Sequence, residues 1–438
     1  MLSNASLLGV LRHSAYRRLF AAQVVSLLGT GLASVALGLL VFELGGADAG
    51  VILGTVLAIK IIAYVTIAPV AEALLGNLPR RTVLVSLDLV RAGFALALPW
   101  VTEIWQIYLL IFLLQAASAG FTPLFQATIP DLLKDEEDYT KALSLSRLAY
   151  DLETLLSPVL ATLLLAVVTW QGLYAGTVCG FLASAALVCT VSLPFSTKIQ
   201  LPFQKRVTRG MQIYLATPRL QGGLILHGAV AVAGAMVFVN TVVLVQGQFK
   251  LTEQDTALTL AAFGVGSMLI ALASPKLLEK FSERTVMLLG SLILVISLGF
   301  STAIEEWREL LPVWTMLGSG YSMIHIPMGR LLRRSAHTED RPALFAAHFS
   351  LSHACWLIAY PTVGWLGATL ELSLTFGILA VGCLLGCVLA WRVWPKIDPI
   401  DLEHRHDDLS SDHPHLSGTQ VHVHPYVIDD LHPQWPGR

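Results

Sequence analysis

Long apolar runs alternate with short polar connections along most of the chain. A helix needs about 20 apolar residues to cross the hydrocarbon core of a bilayer. Because lipid offers no partners to backbone N–H and C=O groups, such runs are expected to be helices rather than open strands. We predict twelve spans, at 19–44, 50–75, 82–101, 105–130, 143–169, 173–194, 221–247, 256–278, 285–304, 309–332, 344–369 and 372–394. The first run lacks a small-residue cleavage site, so it is interpreted as a retained span.

The composition agrees with a protein that lies mostly in lipid. Of 438 residues, 55% are apolar and 13% are charged, whereas a soluble domain has about 45–50% and about 25%. This shortage of charge argues against a soluble enzyme, and a net charge of −2 gives no attraction to nucleic acid. The five cysteines lie within apolar runs without paired spacing, which argues against a disulfide framework.

The positions of Lys and Arg predict the orientation. They concentrate in the N-terminal segment and in every second connection, whereas the opposite connections contain only Lys250 and Arg308. Basic residues favour the cytoplasmic side. We therefore expect an inner (plasma) membrane protein with both termini in the cytoplasm, which requires an even number of spans.

The chain contains a weak internal repeat. The residues Arg81-Thr82-Val83 recur as Arg284-Thr285-Val286, and Pro158 recurs as Pro361, each pair 203 positions apart. Parallel repeats of this kind place a substrate site near the midplane and allow alternating access. The predicted domains are an N-terminal half (1–194), a cytoplasmic linker (195–220), a C-terminal half (221–394) and a His/Asp-rich tail (395–438).

With these features the chain resembles the major facilitator superfamily. The resemblance implies an all-α membrane protein with twelve transmembrane helices in two pseudo-symmetric six-helix halves, a monomeric secondary transporter and not an enzyme. The family's signature loop ends in a basic pair, matched here by Arg80 and Arg81, while its Asp-Arg pair is replaced by Gly76-Asn77. The gating-loop candidates are Arg80, Arg81, Glu279, Lys280 and Arg284.

Longer strings resemble the nickel-resistance exporters of this superfamily. They lie at 21–24, 28–31, 102–108, 125–131 and 143–151. The resemblance implies efflux of a nickel-like divalent ion, with the metal as substrate rather than cofactor and protons as a candidate coupling ion. Two alternatives are an exporter of a small organic compound, drug-like or siderophore-like, and a membrane metal sensor that transports nothing.

The composition changes abruptly after Pro395, where histidines and aspartates become frequent. Alternate residues of an extended chain point to the same side, and imidazole is a ligand for Zn, Cu and Ni. The tail histidines are therefore predicted metal ligands, although a solvated tail that merely titrates is the alternative. They are His404, His406, His413, His415, His422, His424 and His432. Its polar composition predicts disorder without metal.

Polar residues inside the predicted spans are candidates for substrate or ion contact, because ionisable groups in a bilayer are costly. Lys60 lies near the middle of the second span, as a cavity charge or a structural ion pair. Asp151 follows Arg147 by one turn and can pair with it, whereas Glu153 has no such local partner and is the preferred coupling carboxylate. His325 precedes Pro327, and His353 occupies the repeat position of Tyr150.

The superfamily resemblance implies that spans one, four, seven and ten line the cavity. Their polar residues Gln23, Gln115, Gln126, His227, Asn240 and His325 are therefore candidates for substrate contact. For the histidines the alternative interpretation is ordinary hydrogen-bonded packing.

Overall fold

The computed structural model describes residues 6–193, 201–399, 401–405, 414–416 and 421–436. Thirteen α-helices form nearly all of this part of the chain. They are α1 (Ser14–Gly45), α2 (Ala49–Leu75), α3 (Arg80–Ala97), α4 (Ile104–Leu132), α5 (Glu136–Leu165), α6 (Trp170–Cys189), α7 (Phe203–Ala216), α8 (Pro218–Ala235), α9 (Glu253–Lys280), α10 (Glu283–Ser301), α11 (Trp307–Arg334), α12 (Arg341–Thr369) and α13 (Leu372–Val393).

Each predicted span coincides with one of these helices, and the predicted all-α membrane fold is confirmed. Eleven of the described helices are long and apolar enough to cross a membrane, and α11 is the exception among the twelve. Polar residues such as Ser319, Ser322 and His325 interrupt its apolar character. Nevertheless, α11 packs closely against α9 and α10, so it completes the bundle.

The helices pack in two groups of six. Helix α1 packs on α5 and α6, and α3 packs on α4 and α6; in the second group α8 packs on α12 and α13, and α9 on α11. Small residues permit the closest approaches: a Cβ atom on Gly266 or Gly318 would clash with the backbone of the facing helix. The groups meet where α2 packs on α12 and where α5 packs on α9.

The seventh predicted span is irregular at its end. After α8 the backbone continues in two π-helical segments, Met236–Asn240 and Val243–Gln248. Such wide turns inside a helix are rare and often accompany functional sites. They place Asn240 against α12, where its side chain amide lies 3.4 Å from the Val363 carbonyl.

Two elements outside the bundle were not expected. Helix α7 lies in the predicted linker and packs against α2 and α12. In the tail, β1 (Asp401–Arg405) pairs with β2 (Val421–Pro425) in an antiparallel sheet. The expectation of disorder is therefore wrong for these tail residues. We call the end of the bundle that carries α7, the tail and the turn between α11 and α12 the terminal face.

Candidate metal and substrate sites

The two helix groups meet near Lys60 on α2. The Lys60 ammonium lies 5.8 Å from the centre of the Tyr64 ring, and the Tyr64 hydroxyl donates a 2.9 Å hydrogen bond to Gln115. The same ring packs against Phe349 and His353 of α12, with centroid separations of 4.9 Å for each pair. Three predicted site residues, Lys60, Gln115 and His353, are thus brought together at the interface between the groups.

Glu153 faces the interior of the first group. A Cβ atom on Gly31 would lie 2.8 Å from its carboxylate oxygen, so Glu153 reaches α1 through the gap that this glycine leaves. Glu153 therefore lies against another helix of its own group, a proximity that sequence spacing could not reveal.

Asp151 belongs to a network that crosses the interface. It forms the ion pair with Arg147 that the four-residue spacing predicts. The Ser267 hydroxyl of α9 donates to Asp151 at 2.6 Å and contacts the Ser322 hydroxyl of α11 at 2.5 Å. Arg147 donates a further 3.1 Å bond to Ser267. The bond from Ser267 to Asp151 therefore connects α5 of the first group to α9 of the second.

The remaining predicted polar residues are dispersed. Gln23 on α1 is buried and accepts a 3.0 Å hydrogen bond from Ser146. Gln126 lies half-buried on α4. Asn240 is buried within the second group beside Met236. These three residues do not join the Lys60 interface.

Three histidines from different helices meet inside the second group, and we call them the membrane histidine group: His227 of α8, His325 of α11 and His348 of α12. The His227 ring lies 4.8 Å from His325 and 4.9 Å from His348, centre to centre, in edge-to-face contacts. His227 is buried, whereas the other two are partly exposed. The Tyr214 hydroxyl of α7 lies 3.1 Å from Nδ1 of His348.

The hydrogen bonds of this group leave coordinating nitrogens available. Nδ1 of His227 lies 2.9 Å from the Gly223 carbonyl, which assigns the proton to Nδ1. Nε2 of His227 and Nε2 of His325 are buried without a hydrogen-bond partner among the described residues. A buried polar atom without a partner costs free energy, so these nitrogens are suited to receive a ligand or a proton.

At the terminal face a buried carboxylate joins the two groups. Asp131 of α4 accepts a 2.5 Å bond from Arg80 and also pairs with Arg341 at the start of α12. Nearby, the Tyr139 hydroxyl donates to the Gly329 carbonyl at 3.2 Å. The molecule is therefore closed at this face, and we call Asp131 with its two arginines the latch.

The second group contains an ion pair that corresponds to Arg80–Asp131 through the internal repeat, with acid and base exchanged. Glu283 is 203 positions after Arg80, and Arg334 is 203 positions after Asp131. The charged groups of Glu283 and Arg334 lie 4.0 Å apart. Glu283 also forms an ion pair with Arg330, with 2.9 Å between Oε1 and Nε. The predicted residues Arg81, Glu279 and Lys280 are exposed instead, and Arg284 donates to the backbone carbonyls of Trp391 and Trp394.

The tail brings histidines together on the terminal face. Coordinating nitrogens of four of them lie within 4.8 Å of one another: His404, His415, His422 and His424, which we call the tail cage. Strand pairing places His404 opposite His422, and His424 follows on the same side of β2. Nε2 of His415, from the turn at Pro414–Leu416, lies 3.1 Å from Nε2 of His422 and 3.2 Å from that of His424. The predicted ligands His406 and His413 lie outside the described residues.

The 3.1 and 3.2 Å separations from His415 match those between ligands of one metal ion. Imidazole nitrogens bound at about 2.0–2.1 Å are about 3.3 Å apart around a tetrahedral ion and about 2.9 Å apart at neighbouring octahedral positions. A fifth imidazole adjoins the cage, because Nε2 of His432 lies 3.0 Å from Nε2 of His404. The predicted ligand His432 therefore extends the same cluster.

The electrostatics of the tail favour a cation. Burial lowers the pKa of His404, which keeps its imidazole neutral and able to bind metal. Although burial opposes it, hydrogen bonds from His337 and His432 hold the pKa of the Asp429 carboxyl well below its usual range. Burial raises the pKa of Tyr426, beside the cage, to about 12. Asp429 thus stays charged 2.8 Å from Nδ1 of His432.

Several residues of these sites were missed by sequence reasoning. They are Asp131, Tyr214, Glu283, His337, Arg341, His348 and Asp429. The repeat offset was a usable signal for Asp131 and Glu283, because it relates them to Arg334 and Arg80. The others are brought to their sites only by packing between distant helices and the tail.

Comparisons with known proteins agree with this architecture. The profile of the Major Facilitator Superfamily matches the chain twice, at residues 19–238 and 224–410. An uncharacterized MFS-type transporter of Bacillus subtilis (strain 168), YfiS, is 22% identical over 335 residues, which are 73% of this chain and 79% of that protein.

Two solved structures share the fold. The human organic anion transporter MFSD10 (TETRAN) has a TM-score of 0.74 and 14% identity, covering 86% of this chain and 99% of its own. A bacterial homologue of the iron transporter ferroportin, in an outward-facing state, has a TM-score of 0.69 and 15% identity, with the same coverage.

Proposed function

The chain belongs to the Major Facilitator Superfamily, and from this premise we propose that it is a secondary carrier that exports a divalent transition-metal ion such as nickel. The carrier lies in the inner membrane with both termini in the cytoplasm, as the distribution of Lys and Arg favours. The terminal face is then the cytoplasmic face, and an ion gradient drives export by alternating access.

The observation that carries the proposal is the tail cage. Four imidazoles converge from segments that span residues 404–424, an arrangement that packing alone does not require in a polar tail. A nitrogen-only ligand set suits nickel, zinc or copper(II) better than a hard cation such as magnesium. The cage lies on the cytoplasmic face, where an exporter captures its cargo.

The membrane histidine group supplies ligands along the path. Neutral imidazoles bind a cation without placing a second unpaired charge in the low-dielectric interior. The partnerless Nε2 atoms of His227 and His325 are the donors that we assign to this step. Their rings lie edge to face, so a bound ion would draw them into a tighter arrangement.

Lys60 and Glu153 are the charged pair that we assign to coupling. A carboxylate that pairs with an ammonium in one state and with a proton or a metal ion in another changes its charge during the cycle. The location of Lys60 between the two helix groups connects such an exchange to their relative movement. Replacement of Glu153 by Gln should then abolish the pH dependence of transport, and an unaltered pH profile would contradict this role.

The closed terminal face corresponds to an outward-facing state in the proposed orientation. Opening toward the cytoplasm requires Arg341 to separate from Asp131, and Tyr139 from Gly329. Opening would leave the buried Asp131 carboxylate paired only with Arg80 of its own helix group, so loss of the Arg341 contact opposes opening. Transport of an ion from the tail inward therefore begins with rearrangement at this latch.

Export of a small organic anion is the second candidate. The rings of Tyr64 and Phe349 pack together at the interface, and the ammonium of Lys60 lies next to Tyr64. Trp356 and Tyr360 add a second aromatic pair on α12. One solved structure of the same fold is described as an organic anion transporter. Such a substrate would use this interface and leave the tail cage without a role in transport.

Flux measurements separate these candidates. Everted vesicles that contain the full chain would be supplied with nickel, zinc, cobalt or a fluorescent dye, with and without a proton gradient. We expect gradient-dependent uptake of at least one metal and no dye uptake above empty vesicles. Dye uptake without metal uptake would instead establish the organic exporter, and flux of neither would favour a metal sensor.

A further inference from the structure

One carboxylate connects the tail cage to the turn that precedes α12. Oδ1 of Asp429 lies 2.8 Å from Nδ1 of His432, and Oδ2 lies 3.2 Å from Nε2 of His337. The backbone N–H groups of Leu431 and His432 also donate to Oδ1 at 2.9 and 2.8 Å. Asp429 is therefore fixed by the tail on one side and holds the 335–340 turn on the other.

A second contact joins the same segments. Arg209 of α7 donates to Asp430 of the tail at 2.8 Å and makes two bonds to Asp340, of 3.1 and 3.0 Å. Val427 and Ile428 are buried between these contacts and the bundle. Residues 426–432 are thus docked on the terminal face rather than merely close to it, and we call them the docking segment.

The turn transmits this contact to the latch. The carbonyl of His337 accepts hydrogen bonds from the N–H groups of both Asp340 and Arg341, each at 3.1 Å. The Arg341 side chain pairs with Asp131, the buried carboxylate of the latch. A continuous series of contacts therefore runs from His432 through Asp429, His337 and Arg341 to the opposite helix group.

We infer that a metal ion in the tail cage clamps the docking segment against the 335–340 turn and so holds the latch closed. This inference rests on the proposed function, in which the tail binds the transported metal. A histidine that binds metal through Nε2 keeps its proton on Nδ1 and donates it to a carboxylate. Nε2 of His432 lies 3.0 Å from Nε2 of His404, so in this inference His432 joins the four cage histidines as a ligand. The bound ion then favours the bond that His432 makes to Asp429, and with it the docked tail.

The clamp also explains how the tail releases its ion when the terminal face opens. Coupling between two sites is reciprocal, so an ion that stabilises the closed latch binds more weakly when the latch is open. Typical couplings change affinity by about 5- to 150-fold. When the latch opens, the tail releases its ion beside the cavity that has just become accessible.

Hydrogen–deuterium exchange on the full chain in lipid nanodiscs tests the clamp. Nickel chloride is the probe, and the amides of Asp340 and Arg341 are the reporters because both donate to His337. We expect saturating nickel to slow their exchange at least about fivefold, the lower limit of typical coupling. In Asp429→Asn, nickel should still slow exchange in 421–425 but no longer in 335–341. Asp401→Asn, the same substitution at an exposed tail position, should behave as wild type.

Nickel that slows exchange in 421–432 of the wild type but leaves 335–341 unchanged would overturn the clamp while leaving metal binding intact. If nickel alters neither segment, the clamp fails together with the tail cage, and vesicle flux then decides separately whether metal is the cargo. As the reciprocal test, Asp131→Asn should weaken nickel binding by the tail at least about fivefold, with Arg341→Gln as a second latch variant. Unchanged nickel affinity in both latch variants would also contradict the inference.

Discussion

The two histidine groups of this protein have similar ring spacings, 4.5–6.3 Å between ring centres in the tail cage and 4.8–4.9 Å in the membrane group, but they differ in whether their coordinating nitrogens face one another. In the tail, Nε2 atoms from separate segments lie 3.0–3.2 Å apart and one histidine bonds a charged Asp429. In the membrane group the rings meet edge to face, and among the described residues no hydrogen bond joins their nitrogens and the Tyr214 hydroxyl is their side-chain hydrogen-bond partner. We therefore expect the tail to bind an ion without rearrangement and the membrane group to rearrange when it binds one.

This difference suits the two steps of the proposed export. Capture from a dilute cytoplasm requires tight binding, while an ion in transit must leave its ligands quickly. A carboxylate behind a histidine ligand raises the basicity of that ligand and fixes its orientation. The tail has this support at His432, and the described part of the membrane group has a neutral hydroxyl instead. We therefore expect changes in the tail to affect metal affinity and changes in the membrane group to affect rate.

Truncation after Pro399 should have the largest effect on binding. It removes the described cage but keeps Asp398, which pairs with Arg219 and Arg334 and anchors the end of the bundle. We expect the tight nickel site to disappear, lowering bound nickel by at least one ion per chain in equilibrium dialysis, while flux at saturating nickel persists. Retention of the full nickel stoichiometry would show that the tail is not the capture site.

His227→Gln should have the largest effect on rate. The glutamine amide can still donate to the Gly223 carbonyl but offers no imidazole Nε2. We expect metal flux in vesicles to fall about 10- to 100-fold, the loss that removal of even an outer-layer partner of a metal ligand causes. The number of nickel ions that the tail binds per chain should not change, and this also shows that the variant is folded. His13→Gln, far from both groups, is the matched control, and equal flux in both variants would remove His227 from the path.

Acidification should lower the affinity of the tail for nickel, by less than truncation does. Metal binding requires neutral imidazoles, so affinity is retained above the histidine pKa values and lost as the pH falls through them. Burial lowers the pKa of His404, which delays its protonation, while Asp429 remains charged throughout. We expect nickel affinity to fall at least about tenfold from pH 7 to pH 5.5, given free histidine pKa values of about 6.5. A pH-independent affinity measured by calorimetry would exclude an imidazole cage.

Tyr214→Phe should have the smallest effect. It removes the hydroxyl that lies 3.1 Å from His348 and keeps the stacked ring. A neutral hydrogen bond contributes about 1 kcal/mol, so we expect about a fivefold change in the nickel concentration for half-maximal flux. Tyr16→Phe makes the same change at another buried tyrosine, in the first group, and should leave flux unchanged. If Tyr16→Phe changed flux more than Tyr214→Phe does, the effect of Tyr214→Phe would be attributed to protein stability alone.

The sequence predicted the fold well because lipid imposes one strong rule, that every span must be a helix. Helix α7 escaped prediction because its polar composition resembles that of a linker. In the tail, the His-x-His spacing predicted which histidines share a side of a strand, as His422 and His424 do. It could not predict that His432 returns to His404, 28 positions away, because that contact depends on docking to the bundle.

The membrane sites were harder to predict for a related reason. His348 was not among the predicted site residues, although His353 on the same helix was. Only the packing of three helices brings His348 within 4.9 Å of His227. Glu153 likewise lies against Gly31 of another helix, whereas the Arg147–Asp151 pair, one turn apart on α5, followed from spacing alone.

Counterflow in proteoliposomes tests the central claim, that a divalent metal is the cargo, most directly. Vesicles containing the purified full chain would be loaded with unlabelled nickel, diluted into a trace of radioactive nickel without any pH gradient, and sampled over time. We predict a transient accumulation of label above the external concentration, absent in protein-free vesicles and strongly reduced in His227→Gln. A flat trace for nickel, zinc and cobalt in vesicles that show counterflow of an organic anion would contradict the account.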